Sequence, residues 1–104
     1  EVKAKLPVSG ATLASIKDAL RRVTTDANGT AFSAFRGAKI ISAGKTGTSE
    51  APPGDPHSWF AGYAPADNPR IAIAVIVEHG GEGSKTAAPI FREIMEKYFA
   101  GPGK

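Results

Sequence analysis

Residues 39–48 read KIISAGKTGT, and they form the most informative stretch of this 104-residue chain. The β-branched residues and the length of the stretch predict a β-strand, which we expect to run from about residue 39 to about residue 49. Successive side chains of a strand point to opposite faces, so Thr46 and Thr48 share one face and Lys45 lies on the other. The segment therefore predicts a polar strand with two hydroxyls on one side and an amine on the other.

The polar end of this strand has groups that can bind a carboxylate, a peptide backbone and an oxyanion. Two hydroxyls about 7 Å apart on one face can both donate to a carboxylate beside the strand. Gly47 has no side chain, so the backbone of a bound peptide can approach and pair as an added strand. Lys45 supplies positive charge to a polar network, and the amide of Thr48 can stabilise a tetrahedral oxyanion. On these residues alone, a solvent-exposed polar strand end is an equally good interpretation.

The rest of the chain predicts a small α+β domain in which two helices flank a three-stranded antiparallel meander. Apolar residues at helical spacing indicate the helices, and short connections join the three strands. Residues 71–77 read IAIAVIV, a continuous apolar run that predicts a strand buried on both faces. The predicted elements are a helix at about residues 10–27, strands at about 39–49, 58–64 and 70–78, and a helix at about 86–100.

Two rival motifs overlap the first strand, and neither fits. Gly44-Lys45-Thr46 matches the end of a phosphate-binding loop, but that loop requires a glycine at position 39, where this chain has Lys39. It also requires a following helix, which residues 49–54 (SEAPPG) do not favour. Ser42 and Lys45 spell Ser-x-x-Lys, but that pattern works only on a helix, where residues three apart share a face. We therefore exclude nucleotide binding and a nucleophilic role for Ser42.

Composition argues against several other functions. The net charge is +3 and the basic residues are spread along the chain, which does not favour nucleic-acid binding. There is no cysteine, and His57 and His79 lack a third ligand at a metal-binding spacing, so we expect no metal site. Trp59 and Phe60 alternate on the second predicted strand. We expect at least one of them in the core, and Trp59 is a candidate for contacting a substrate.

Five segments, in order and over nearly the whole chain, carry a family resemblance: Gly29-Thr30-Ala31, residues 43–48 (AGKTGT), residues 57–65 (HSWFAGYAP), Ile71 to Glu78, and residues 87–94 (AAPIFREI). They resemble the class B penicillin-binding proteins, with the elongation-type branch as the nearest match. The resemblance implies a D,D-transpeptidase that cross-links peptidoglycan stem peptides through an acyl-serine intermediate and that β-lactams acylate. It implies no cofactor.

The resemblance also implies roles for the strand residues. Lys45 interacts with the serine of a second motif, and the Thr48 amide completes the oxyanion hole, so these two are the candidate catalytic residues. The Thr46 and Thr48 hydroxyls bind the carboxylate of the substrate or β-lactam. The candidate substrate-binding residues are accordingly Thr46, Gly47 and Thr48, with Trp59 as a further candidate.

The chain departs from the family pattern in having no Ser-x-x-Lys on a helix and no Ser-x-Asn. We interpret residues 1–104 as the C-terminal subdomain of a transpeptidase domain whose remainder supplies both motifs and the first two strands of a five-stranded sheet. Alone it should be inactive, and the edge of residues 71–77 should be open to pairing.

The implied location is the extracytoplasmic face of the bacterial cytoplasmic membrane, with an anchor outside this chain. Two alternatives remain open at this point. The first is a class D β-lactamase or β-lactam sensor domain, which shares the Lys-Thr-Gly strand. The β-lactamase differs from a transpeptidase because its complete site holds a deacylating water. A non-catalytic interaction module would be favoured if the complete protein also lacked the nucleophile motif.

Overall fold

The structure is a computed structural model that describes residues 1–101, so residues 102–104 of the predicted subdomain lie outside the described residues. It has an α+β fold, as predicted, with helices flanking one antiparallel sheet. One short helix was not predicted, because four residues are too few to show a helical period. The elements are α1 (Gly10–Thr25), α2 (Phe32–Phe35), β1 (Ala43–Ser49), β2 (His57–Ala64), β3 (Ile71–Val77) and α3 (Ala87–Ala100).

α1 begins and ends where side chains satisfy its free backbone groups. The hydroxyl of Ser9 accepts the backbone N–H of Thr12 at 3.1 Å and caps the N-terminus. We expected the helix to reach about residue 27, but it ends at Thr25 because Asp26 is extended, with ψ at 137°. The Asp26 carboxylate accepts the N–H of Asn28 at 2.8 Å, and this local bond favours a turn over a further helical turn.

The strands form an antiparallel meander in the order β1-β2-β3, which confirms the predicted sheet. Thr46 lies opposite Phe60, and Phe60 lies opposite Val75, so these side chains share one face. We call this the α3 face, because Phe60 packs against α3. Lys45 and Trp59 lie on the other face, which we call the Lys45 face.

An aromatic cluster holds the helices against the α3 face. Phe60 of β2 and Phe91 of α3 are fully buried, with ring centroids 4.7 Å apart. Phe35 of α2 lies 5.6 Å from the first ring and 5.8 Å from the second. Met95, one turn further along α3, is also fully buried. Each such side chain stabilises the fold by about 1.5–3 kcal/mol relative to leaving it exposed.

β1 begins at Ala43, so the prediction that the strand starts at about residue 39 is wrong. The carbonyl of Ile41 accepts the N–H of Ala66 at 2.8 Å, and the carbonyl of Ser42 accepts the Thr24 hydroxyl at 2.7 Å. These partners belong to a loop and to α1, not to β2. The pairing between β1 and β2 does not extend to Ile41, because the residue after β2 is Pro65, which has no N–H to donate.

β3 is buried on one face only, which corrects the prediction that both of its faces are buried. Val75 is buried on the α3 face, whereas Ile76 on the Lys45 face is 46% exposed. No strand among residues 1–101 pairs with the far edge of β3. The apolar run therefore includes a face and an edge that no described residue covers.

Candidate active site

Lys45 lies exposed on the outer strand of the sheet. Its Nζ donates to the backbone carbonyl of Thr46 at 3.0 Å. The side chain lines a cavity of about 340 Å³ whose other walls come from the second half of α1 and the turn that follows it. An ammonium group beside open space can hold a polar partner that enters the cavity.

Thr46 and Thr48 lie on the α3 face, opposite to Lys45, and each hydroxyl contacts a residue outside the sheet. Thr46 Oγ1 lies 3.0 Å from Oγ1 of Thr30. Thr48 Oγ1 accepts the backbone N–H of Gly83 at 3.2 Å. A hydroxyl can accept and donate at once, so Thr48 keeps its own proton for a further acceptor.

Gly47 lies directly opposite Trp59 in the register. A Cβ at position 47 would stand 3.2 Å from the Cβ of Trp59, so a larger residue would crowd this side of the sheet. Of the two neighbouring aromatic residues on β2, Phe60 lies in the core, while Trp59 is 40% exposed beside β1. The Trp59 Nε1–H donates to Ser49 Oγ at 3.1 Å, which holds the indole along the strand.

One edge of β1 is open, because among residues 1–101 only β2 pairs with this strand. In an antiparallel ladder, alternate residues turn their N–H and C=O away from the neighbour. The Thr46 carbonyl accepts a hydrogen bond from the Lys45 side chain and not from β2. This carbonyl therefore lies on the open edge. Thr48 is two residues further and turns its N–H to the same edge. An extended peptide can therefore pair with β1 at these residues.

Two further residues reach the site for which we predicted no role. Thr30 lies in the turn between α1 and α2, 16 positions before its partner Thr46. Gly83 lies after β3, 35 positions beyond Thr48. The only signal for Thr30 was its place in the segment Gly29-Thr30-Ala31, which resembles the family. No signal in the sequence indicated Gly83.

Other candidates lie apart from the site. Ser42 is 1% exposed, and within residues 1–101 its Oγ has no hydrogen-bond partner, so no bond joins it to Lys45. The N–H of His79 donates to His57 Nδ1 at 2.9 Å, with ring centroids 4.7 Å apart. The described part of the chain contains no group of three potential metal ligands. None of its helices has the length and hydrophobicity that crossing a bilayer requires.

Comparison with known proteins gives one consistent family. Residues 1–96 match the penicillin binding protein transpeptidase domain. The chain is 36% identical over 97 residues to the peptidoglycan D,D-transpeptidase MrdA of Haemophilus influenzae, an alignment that covers 79% of this chain. It is 39% identical over 104 residues to the peptidoglycan D,D-transpeptidase PbpA of Mycolicibacterium smegmatis, with 91% of this chain covered.

The likeness extends to a solved structure. The crystal structure of Pseudomonas aeruginosa PBP2 in complex with WCK 5153 superposes on 94% of this chain with a TM-score of 0.86 and 33% identity. The match covers 21% of that protein. The alignments to MrdA and PbpA cover 15% and 20% of those relatives. The chain thus corresponds to a small part of each of these proteins.

Proposed function

The chain belongs to the penicillin-binding protein transpeptidase domain family, and we propose that it supplies the Lys-Thr-Gly strand of a peptidoglycan D,D-transpeptidase. In this proposal the complete domain cross-links stem peptides through an acyl-serine intermediate, and β-lactams acylate the same serine. The names of the two relatives, both D,D-transpeptidases, support this class of reaction. The resemblance of the five segments favours the elongation-type branch.

The arrangement of groups along the open edge of β1 is the observation that carries this proposal. The Thr46 and Thr48 hydroxyls share one face, and Lys45 lies on the other. Gly47 between the two threonines leaves space for a bound backbone. A substrate that pairs with the edge as an added strand would place its carboxylate near the two hydroxyls. This combination of donors and a free edge suits an acyl-transfer site that binds a peptide carboxylate.

Each strand residue has a distinct part in the proposed reaction. The nucleophilic serine, supplied by the rest of the domain, forms a C–O bond with the substrate carbonyl while its proton passes to a neighbouring base. The carbonyl oxygen becomes an oxyanion, which the Thr48 N–H on the open edge stabilises. Collapse of this intermediate breaks the peptide bond, and the leaving amine takes up a proton. Lys45 keeps positive charge beside the serine of the Ser-x-Asn motif.

The remainder of the transpeptidase domain is the first partner that we propose. It would bring the Ser-x-x-Lys and Ser-x-Asn motifs to the Lys45 face and cover the apolar side chains exposed there. Ile76 is 46% exposed on this face, and the free edge of β3 can accept a further strand. The five-stranded sheet proposed for the complete domain would close that edge.

We place the complete protein at the extracytoplasmic face of the bacterial cytoplasmic membrane, held by an anchor outside this chain. Its substrate, the peptidoglycan stem peptide, lies on that side of the membrane. The proposed chemistry proceeds through a serine ester and protein donors, so no cofactor takes part.

Labelling of the complete transpeptidase domain with a fluorescent penicillin tests the proposal. Lys45→Met is expected to slow acylation by about a hundredfold or more, because it removes the positive charge that the proposal places beside the serine of the Ser-x-Asn motif. Lys39→Met is the matched control, since Lys39 is also exposed but lies before β1. It should leave the labelling rate within about twofold of wild type. Wild-type labelling of a folded Lys45→Met variant would refute the role of this residue.

Two further outcomes separate the proposal from its alternatives. The 104-residue chain alone should take up no label, and label on it would identify Ser42 or another serine here as a nucleophile. In the complete domain the label should persist after free penicillin is removed. Rapid loss of the label would instead indicate the deacylating water of a class D β-lactamase. A complete domain that never labels would support a non-catalytic interaction module.

A further inference from the structure

We infer that Thr30 is a positioning residue that directs the hydroxyl proton of Thr46 toward the substrate carboxylate. This inference rests on the proposed function, in which Thr46 and Thr48 bind that carboxylate. The observation behind it is the 3.0 Å distance between Oγ1 of Thr30 and Oγ1 of Thr46. Thr30 itself is exposed in the turn between α1 and α2, where it lines the same cavity as Lys45, and it makes no other side-chain hydrogen bond among the described residues.

The number of protons explains why a second hydroxyl beside Thr46 matters. Each threonine hydroxyl has one proton and can also accept a bond. At Thr48 the accepting role is filled by the N–H of Gly83, a group that can only donate, so the Thr48 proton is free for the substrate. For the Thr46 proton to be free for the substrate as well, the Thr30 hydroxyl must donate to the Thr46 hydroxyl. If Thr46 donated to Thr30, its proton would point away from the substrate.

A bound carboxylate selects between these two arrangements. An ionised carboxylate only accepts hydrogen bonds, so it favours the state in which both strand hydroxyls donate to it. That state has Thr30 donating to Thr46, in parallel with Gly83 donating to Thr48. Each strand hydroxyl then accepts one hydrogen bond from the protein and keeps its own proton for the substrate. The donor to Thr48 is the backbone amide of Gly83, and the donor to Thr46 is the side-chain hydroxyl of Thr30.

Backbone hydrogen bonds hold the turn that contains Thr30 against α1. The N–H of Ala31 donates to the Val23 carbonyl at 3.0 Å, and the Ala31 side chain is 1% exposed. The N–H of Gly29 donates to the Asp26 carbonyl at 2.7 Å. A Cβ at position 29 would collide with the Val23 carbonyl oxygen, so only glycine allows this close approach. Residues on both sides of Thr30 are therefore fixed by backbone contacts.

Acylation kinetics of the complete domain test this inference. We would compare Thr30→Val, which keeps the shape but removes the hydroxyl, with Thr30→Ser, which keeps the hydroxyl. Each would react with a penicillin and with the methyl ester of the same penicillin, which lacks the charged carboxylate. Thr25→Val is the matched control, because the Thr25 hydroxyl donates to the Arg21 carbonyl on α1.

We expect Thr30→Val to lower the acylation efficiency with the free acid by about tenfold, through weaker binding and not a slower maximal rate. With the methyl ester, Thr30→Val should react nearly as fast as the wild-type domain, because the ester lacks the charge that Thr46 recognises. Thr30→Ser should restore the free-acid efficiency to within about threefold of wild type. Thr25→Val should leave both rates unchanged.

Other results would overturn the inference. An equal loss for acid and ester, or no recovery in Thr30→Ser, would mean that Thr30 acts through packing alone. No change in Thr30→Val would mean that Thr46 orients its proton without help. Should Thr30→Val fail to fold, Thr30→Ala gives the same acid-to-ester comparison. A wild-type domain that takes up no penicillin would refute the proposed function instead, so the two failures are distinguishable.

Discussion

Replacement of Gly83 by alanine tests how the loop after β3 supports the site. Gly83 is buried over the paired strands, and its N–H donates to the Thr48 hydroxyl at 3.2 Å. A Cβ at position 83 would stand 2.5 Å from the carbonyl oxygen of Gly47 and 2.9 Å from its nitrogen. It would also collide with the carbonyl oxygen of Trp59. These atoms belong to the backbone of β1 and β2, so they cannot move aside as a flexible side chain would.

The cost of Gly83→Ala follows from this overlap. Insertion of a methyl group into tightly packed structure costs about 1–3 kcal/mol. The loop must also retreat from β1 and lose the bond to Thr48, which adds about 1 kcal/mol. We therefore expect the free energy of unfolding to fall by about 3 kcal/mol. In a domain of 150–250 residues this lowers the Tm by roughly 6–12 °C.

Two other glycines serve as matched controls for the same substitution. Gly10 is the first residue of α1, and apart from its chain neighbours and the backbone of α1 no atom lies within 4 Å of the place that an added methyl group would occupy. Gly10→Ala should therefore be neutral or stabilise by up to about 1 kcal/mol. Gly81 has φ at +89° and open space around it, so Gly81→Ala should cost about 1–2 kcal/mol through backbone strain alone.

Thermal unfolding of the complete domain, with penicillin labelling well below the Tm, measures these effects. Gly83→Ala should show both the largest loss of stability and slower labelling, because the Thr48 hydroxyl loses its donor. The reasoning is refuted if Gly83→Ala unfolds within about 0.5 kcal/mol of Gly10→Ala, the range of an ordinary surface substitution.

Three further predictions concern the core, a helix cap and the exposed indole. Phe91→Ala should lower the free energy of unfolding in urea by about 3–5 kcal/mol, and a loss no larger than that of the half-exposed Ile94→Ala would contradict the aromatic core. Ser9→Ala should cost about 1 kcal/mol by calorimetry, since it removes the cap of α1; an unchanged Tm would show that α1 needs no cap. Trp59→Phe should change stability by less than about 1 kcal/mol yet slow penicillin labelling several-fold, because it loses the bond to Ser49; unaltered labelling kinetics would exclude Trp59 from the site.

The features that the sequence predicted correctly are those that depend on a local repeat. A two-residue alternation places Thr46 and Thr48 on one face and Lys45 on the other, and the structure has this arrangement. A spacing of three and four residues marks the two long helices, and short connections between apolar stretches indicate an antiparallel meander. The resemblance to the transpeptidase family rests on the same stretches and is confirmed by the match over residues 1–96.

Only the tertiary structure decided where β1 begins, which face of β3 is covered, and which groups the strand hydroxyls bond to. β1 begins at Ala43 because the two preceding carbonyls bond to a loop and to α1. Thr30 and Gly83 meet β1 from 16 and 35 positions away in the chain. Hydrogen bonds over such separations depend on how a turn and a loop pack against the sheet. No local pattern of side chains encodes that packing, so the sequence identified the strand of the site while the fold determined its supports.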